Sequence, residues 1–327
     1  MAELPRRLGL FSAIAVLVGS TIGSGIFRSP AGVAERIPDA RLFLAAWIAG
    51  GVCILAGALT YAELAGALPR TGGVFVYLRE AFGRLPAFLF GWAELTLVRA
   101  SALGAISTVF AEYFLRMFGI AGTDTIHYAA AAAILFVAAF NSAGIHIAAS
   151  VQNVTAALKY LALVVLVLAS FLLSGNGAPP VQAEAFSRGS PTIGLFGLAL
   201  ISILWVYDGW ADVTFISGEV RNPGRYLPLA LFAGTIAVIG IYLAANSAYL
   251  HVMGIGEIGK SKLVAADVAE RLAGRIGLTF VSSAVMISTF GTLNGSLMTG
   301  SRIFFALGDD GLFFKKIAAV HPRFQSP

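Results

Sequence analysis

The chain has 327 residues, of which 58% are apolar and only 12% charged, about half the charged share of an ordinary soluble domain. Apolar runs of about 20 residues, the length of one helical membrane crossing, recur along the whole sequence. They exclude a soluble globular fold, and also a transmembrane β-barrel, whose strands alternate apolar and polar residues. The net charge of +5 reports topology and lipid contact in such a chain, and is no ground for a nucleic-acid partner. Cys53 is the single cysteine, so an internal disulfide framework and a cysteine-based metal site are both excluded.

Hydropathy and punctuation predict eight spans in chain order, at roughly 8–36 (interrupted), 42–68, 86–118, 127–146, 151–174, 192–217 (interrupted), 227–253 and 276–307. The first apolar run has no small-residue cleavage site behind it, so it is expected to stay as a helix. Between the second and third spans, Gly72 and Gly73 precede an amphipathic stretch (Val74, Tyr77, Leu78, Ala81) that reads as an interfacial helix. The Gly- and Pro-rich loop at 175–191 divides the chain into 1–175 with five spans and 176–327 with three. Eleven Lys or Arg fall on the side of the N terminus and nine on the other, while Arg99 and Lys159 lie inside spans. This bias, though weak, favours a cytoplasmic N terminus.

Within the first span, Gly19, Ser20, Thr21, Ile22, Gly23, Ser24 and Gly25 make a poor continuous helix. Broken backbone at membrane depth is tolerated where it lines a cavity or is buried in protein. One reading is an unwound segment whose amides, at the start of a half-helix near Ser24, hold a carboxylate. The other is a small-residue packing face, since Gly19 and Gly23 form GxxxG; the segment alone leaves both open. The sixth span carries Trp205, Val206, Tyr207, Asp208, Gly209, Trp210, Ala211 and Asp212, two carboxylates and a glycine amid apolar residues. Unwinding there frees carbonyls for an ammonium, whereas Asp212 reads more readily as interfacial. Lys159, eight residues into the fifth span, is either a snorkelling side chain or a buried functional cation.

The run from Gly19 to Phe27, the stretch 61–80 with Pro69-Arg70-Thr71-Gly72-Gly73, and 207–223 with Tyr207-Asp208-Gly209-Trp210 together resemble the amino acid-polyamine-organocation (APC) superfamily. The likeness is to its bacterial L-type amino acid transporter-like branch, and is joined by the stretches 91–99, 288–296 and 309–313. It implies an all-α polytopic membrane protein with a five-plus-five inverted-repeat transporter fold and broken first and sixth helices. The activity implied is alternating-access transport of amino acids across the cell inner (plasma) membrane, by exchange or with protons. A neutral L-amino acid is favoured because no intramembrane carboxylate is clearly placed for a cationic side chain.

Carried over by position, the amides of Gly23, Ser24 and Gly25 bind the substrate carboxylate, and the carbonyls of Trp205, Val206 and Asp208 take its ammonium. The ring of Trp205 occludes the pocket. Lys159 stands in for a sodium ion, donating to carbonyls near Ala15 to Gly19 and to the hydroxyls of Ser288 or Thr289. No metal and no cofactor is implied, and the partners are the amino-acid substrate and the lipid bilayer. This sequence has Trp205 where the branch often has Phe, Ala211 where animal members carry Asn, and Ala100 where Pro often follows the arginine, so Arg99 is left out of the site.

After the eighth span the sequence ends on a polar stretch with Lys315, Lys316 and Arg323, where the resemblance implies further helices. The second repeat is therefore expected to be incomplete, with an inactive fragment as the alternative; a channel is the alternative of another class. The segment Gly254 to Ser261 satisfies both GxGxxG and GxxxxGK[ST], yet follows a membrane helix rather than a strand, so no nucleotide is expected. His127, His146, His251 and His321 show no ligand spacing. Neither HExxH nor GxSxG occurs, and no enzyme is expected.

Overall fold

The structure, a computed structural model, describes residues 4–118, 120, 122–142, 144–174 and 193–321. Six of its helices are long and apolar enough to cross a membrane. These are α4 (Ala40–Ala67), the pair α6 (Arg84–Ala93) and α7 (Arg99–Met117), α8 (Thr123–Ser142), α9 (Ile145–Leu173), α12 (Pro223–Val252) and α14 (Val264–Asp309). The other two predicted spans are the interrupted ones. The first breaks after α1 (Leu10–Thr21) and resumes as α2 (Gly25–Arg28) and α3 (Pro30–Arg36); the sixth breaks after α10 (Ile193–Tyr207) and resumes as α11 (Asp212–Phe215) and a 3₁₀ turn at Ser217–Glu219. An amphipathic helix α5 (Val74–Phe82) lies between the second and third spans, entered through Gly72 and Gly73 at φ of 109° and 45°. The loop at 175–191 lies outside the described residues.

The third, fourth and fifth spans differ from the hydropathy reading. The fourth span ends at Ser142 and the fifth begins at Ile145, because Gly144 takes φ of 121° between them. The third span is not one α-helix: a π-turn at Glu94–Val98 interrupts it, a feature frequent at functional sites. The eighth span starts close to the expected 276, set off by a kink at Ala273 and Gly274 from a short helix that begins at Val264. The decoy segment forms a single turn, α13 (Ile255–Ile258), whose leading amide, that of Gly254, donates to Glu257 Oε2 at 3.3 Å.

α1 sits centrally, packed against α9, α12 and α14, while α12 packs on α4 and α14 on α7 and α9. Close approach is made by glycines, as bilayer packing favours. A Cβ on Gly51 would stand 3.1 Å from Ile239, and one on Gly57 3.1 Å from Trp210, so α4 receives α12 and the second break on a strip without side chains. The N-terminal segment is clipped to the chain after α11: the amides of Arg7 and Leu8 donate to the Glu219 carbonyl at 2.8 and 2.9 Å, and Arg221 N–H donates to the Leu8 carbonyl at 2.8 Å.

Candidate functional site

Breaking a helix in hydrocarbon frees carbonyls at the end of the first half that must find donors. In α1 they do. Lys159, fully buried on α9, donates from Nζ to the carbonyls of Gly19 at 2.8 Å, Ile22 at 2.7 Å and Ser288 at 2.9 Å. Its fourth neighbour is Thr292 Oγ1 at 3.1 Å. Ser288 Oγ adds a bond to the Ile22 carbonyl at 2.9 Å. Tyr242, from α12, places its hydroxyl 3.0 Å from the Thr21 carbonyl and 3.2 Å from the Val206 carbonyl, bridging the two breaks. An ammonium at the carbonyl end of a half-helix also meets the favourable end of its dipole. The snorkelling reading of Lys159 is therefore wrong, since the side chain turns into the bundle.

Around the first break, Gly23 N–H turns back to the Thr21 carbonyl at 2.9 Å, and Ser24 and Gly25 head the second half-helix. The first turn of a helix leaves its amides without intrahelical partners, so this is where α2 offers donors. Gly25 meets the other break directly: a Cβ there would lie 3.0 Å from Val206 Cγ1. Gly209, at φ of 105°, backs onto the peptide between Ser20 and Thr21, with 2.8 Å left for a Cβ. Two glycines thus let the two breaks nest. Beside Ser24 lies a cavity of about 20 Å³, lined also by Phe27, Val109 and Val285, which is room for about one water.

The second break does not present its carbonyls as expected. The Val206 carbonyl is met by Tyr242, and the Trp205 carbonyl accepts from Asp208 N–H at 3.2 Å. Trp205 itself is 63% exposed, in line with Ile201 and Leu198 on the open side of α10, so its ring is not packed over the breaks in this conformation. Trp210 instead packs against Tyr61, with ring centroids 4.9 Å apart and the planes tilted by 50°. The Asp208 side chain is exposed and, among the described residues, in no ion pair.

Asp212 is not interfacial, as its position suggested. It is buried, and Arg99 grips it with Nη1 at 3.2 Å and Nη2 at 3.3 Å. The same guanidinium reaches Glu94 Oε2 from Nε at 3.2 Å and Ser296 Oγ at 3.1 Å, and lies 5.6 Å from the Phe215 ring centre. Thr299 Oγ1 completes the shell, 2.9 Å from Asp212 Oδ2. A second buried pair, Arg302 Nε to Glu219 Oε1 at 2.8 Å, ties the end of the sixth span to α14.

Of the coupling residues expected around Lys159, Ser288 is in place, whereas Thr289 turns its hydroxyl to the Val285 carbonyl of its own helix at 2.8 Å. The hydroxyl beside the ammonium belongs to Thr292. Spacing held the signal: Ser288 and Thr292 are four apart and share a helix face, while a neighbour in sequence points about 100° away. Tyr242 carried no such signal, being one aromatic among many in an apolar run. The Arg99–Asp212 pair was hidden for another reason, because partners more than a hundred residues apart are joined only by the fold.

Residues 8–327 match the amino acid permease family. The chain is 33% identical to the b(0,+)-type amino acid transporter 1 of Homo sapiens over 99% of its own length and 67% of that protein. It is 31% identical to the serine/threonine exchanger SteT of Bacillus subtilis, over 99% of the chain and 73% of the exchanger. Likeness to the human cystine/glutamate transporter is 31%, again over 99% of the chain and over 65% of that protein.

Proposed function

This chain belongs to the amino acid permease family, and from that premise we propose that it moves amino acids across the cell inner (plasma) membrane by alternating access, as an exchanger or with protons. The N terminus lies in the cytoplasm; residues 1–175 form one repeat and residues 176–327 belong to the second, inverted one, each opening with a broken helix. The observation that carries this reading is the nesting of the two breaks at Gly25 and Gly209. Amides head one half-helix there and carbonyls end another, an arrangement complementary to the carboxylate and ammonium of an amino acid.

Ser24 and Gly25 supply the carboxylate donors, joined by Gly23 once its N–H leaves the Thr21 carbonyl. The carbonyls of Trp205, Val206 and Asp208 face the ammonium once the breaks part, which requires Val206 to leave Gly25 and Tyr242 to release one of its two acceptors. Trp205 is the gate, its exposed ring closing over the substrate when the halves reapproach. Lys159, with Ser288 and Thr292, performs electrostatically what a bound sodium ion would do at the end of α1. The names of the relatives support an amino-acid substrate. A neutral side chain fits the apolar neighbours Val206 and Trp205. The exposed carboxylate of Asp208, in no ion pair among the described residues, favours a second reading in which cationic side chains are accepted too, since an acid without a cationic partner beside a substrate site selects positive charge.

The test is binding of L-leucine and L-arginine, each against its decarboxylated amine, in Gly25→Leu and the parent. A leucine side chain collides with Val206 and blocks approach to the amides, so amino-acid affinity is expected to fall at least about tenfold, about 1.4 kcal/mol, with amine affinity little changed. Equal amino-acid affinity in the two proteins overturns the carboxylate site.

A further inference from the structure

The cluster around Arg99 is not used by the substrate site just described, and its charges do not balance. One guanidinium serves two buried carboxylates, Glu94 and Asp212, whose side chains are about one-tenth exposed. Among the described residues, the other buried cations are committed elsewhere, Lys159 to carbonyls and Arg302 to Glu219. The partners are shared unequally. Asp212 receives both Nη atoms of Arg99 and stands 2.9 Å from the Thr299 hydroxyl. Glu94 has a single contact, to Nε at 3.2 Å.

A second carboxylate with one weak partner leaves a net negative charge inside a membrane bundle, which is costly. Neutralisation requires either another cation or a proton. The groups facing Glu94 are Arg99 on α7, Asp212 on α11 and, further off, Asp208 in the second break; α14 contributes the uncharged Ser296 and Thr299. Asp208, by contrast, is exposed and meets the Gly209 amide, so the buried charge left short of partners is that of Glu94.

We propose that Glu94 is a proton-binding site, holding one proton while Arg99 is engaged with Asp212 and releasing it when the two separate. Asp212 is the first residue of the half-helix after the second break, the element that must move for the N-terminal side to open. When it withdraws, Arg99 retains Glu94 as its only carboxylate. The Glu94 O–H bond then breaks, its proton passes to water entering from that side, and the resulting carboxylate pairs with the guanidinium. The Arg99–Glu94 pair stays neutral, Asp212 carries its negative charge to the water entering there, and the released proton balances it, so one proton accompanies each opening. The coupling to transport rests on the proposed function; the proton site itself does not.

The test separates the two. Infrared spectra of the purified chain in nanodiscs at neutral pH, without substrate, are expected to show a protonated carboxyl C=O band. Labelling glutamate carboxyls with ¹³C shifts that band, labelling aspartate carboxyls leaves it in place, and Glu94→Gln abolishes it. A missing band, or one that moves with labelled aspartate, overturns the proposal; the labels need no variant to fold. In proteoliposomes, uptake of labelled L-leucine or L-arginine by the parent is expected to depend on a pH gradient, and Glu94→Gln to lose that dependence. Gradient dependence unchanged in Glu94→Gln overturns the coupling. Uptake of neither substrate by the parent, with the band present, instead counts against the transport reading.

Discussion

Lys159 replaces in one side chain what an unwound helix end otherwise takes from water or an ion. Its ammonium reaches three carbonyls from two helices, and no neutral residue of similar size has hydrogens for them. Lys159→Met keeps the volume and strands the Gly19 and Ile22 carbonyls, each buried acceptor costing about 1–3 kcal/mol, partly offset by Ser288 and Thr292. A lowered Tm is expected, with uptake lost and no recovery in Na⁺; replacing Na⁺ by choline is expected to leave the parent's uptake unchanged. Wild-type turnover in the variant, or strong Na⁺ dependence in the parent, contradicts the role. At this scale the sequence was legible in part. A lysine amid apolar residues announces itself, but its acceptors are backbone atoms, which carry no residue identity.

Among the elements, the two broken helices were the most readable, because glycines and hydroxyls within an apolar run mark a break with a mechanism behind it. What the breaks touch was less so. Trp205 and Trp210 sit in one motif, yet one stands open on α10 while the other lies on Tyr61 and against Gly57 of α4. Trp210→Ala is therefore expected to lower Tm, a large buried ring costing about 3–5 kcal/mol on truncation when fully buried and less here. Trp205→Ala is expected to spare Tm and weaken substrate retention, as removal of a lid does. Thermal unfolding and dissociation rates of bound amino acid, measured on both, check this; equal effects on both readouts mean that the rings merely pack. The kink at Gly274 and the π-turn at Glu94–Val98 escaped the hydropathy reading because neither interrupts the apolar content that such a reading counts.

Across the whole molecule, the contacts of the second broken helix fall into two kinds. Near the breaks it is held by close glycine packing, with Gly209 against the end of α1. Beyond the break, towards the N-terminal side, it is held by polar contacts: the ion pairs of Arg99 with Asp212 and Arg302 with Glu219, and the backbone hydrogen bonds of Arg7 and Leu8 to Glu219. That division suits a protein in which one end closes by reversible polar contacts. Arg302→Met leaves Glu219 buried without its cation, and a loss of about 3–5 kcal/mol is expected, read as a lower Tm; an unchanged Tm contradicts the ion pair's part in closure. None of these pairs was readable from spacing, since each joins segments that only the folded bundle brings together.

The central claim is that the two nested breaks bind and carry an amino acid in alternating access, and counterflow tests it most directly. Proteoliposomes holding the chain are loaded with unlabelled L-leucine or L-arginine and diluted into a trace of the same labelled amino acid. The account predicts transient, saturable accumulation of label above its external concentration, abolished in Gly25→Leu. Label that only equilibrates, at a rate linear in concentration and indifferent to the amino acid inside, would describe a pore and contradict it.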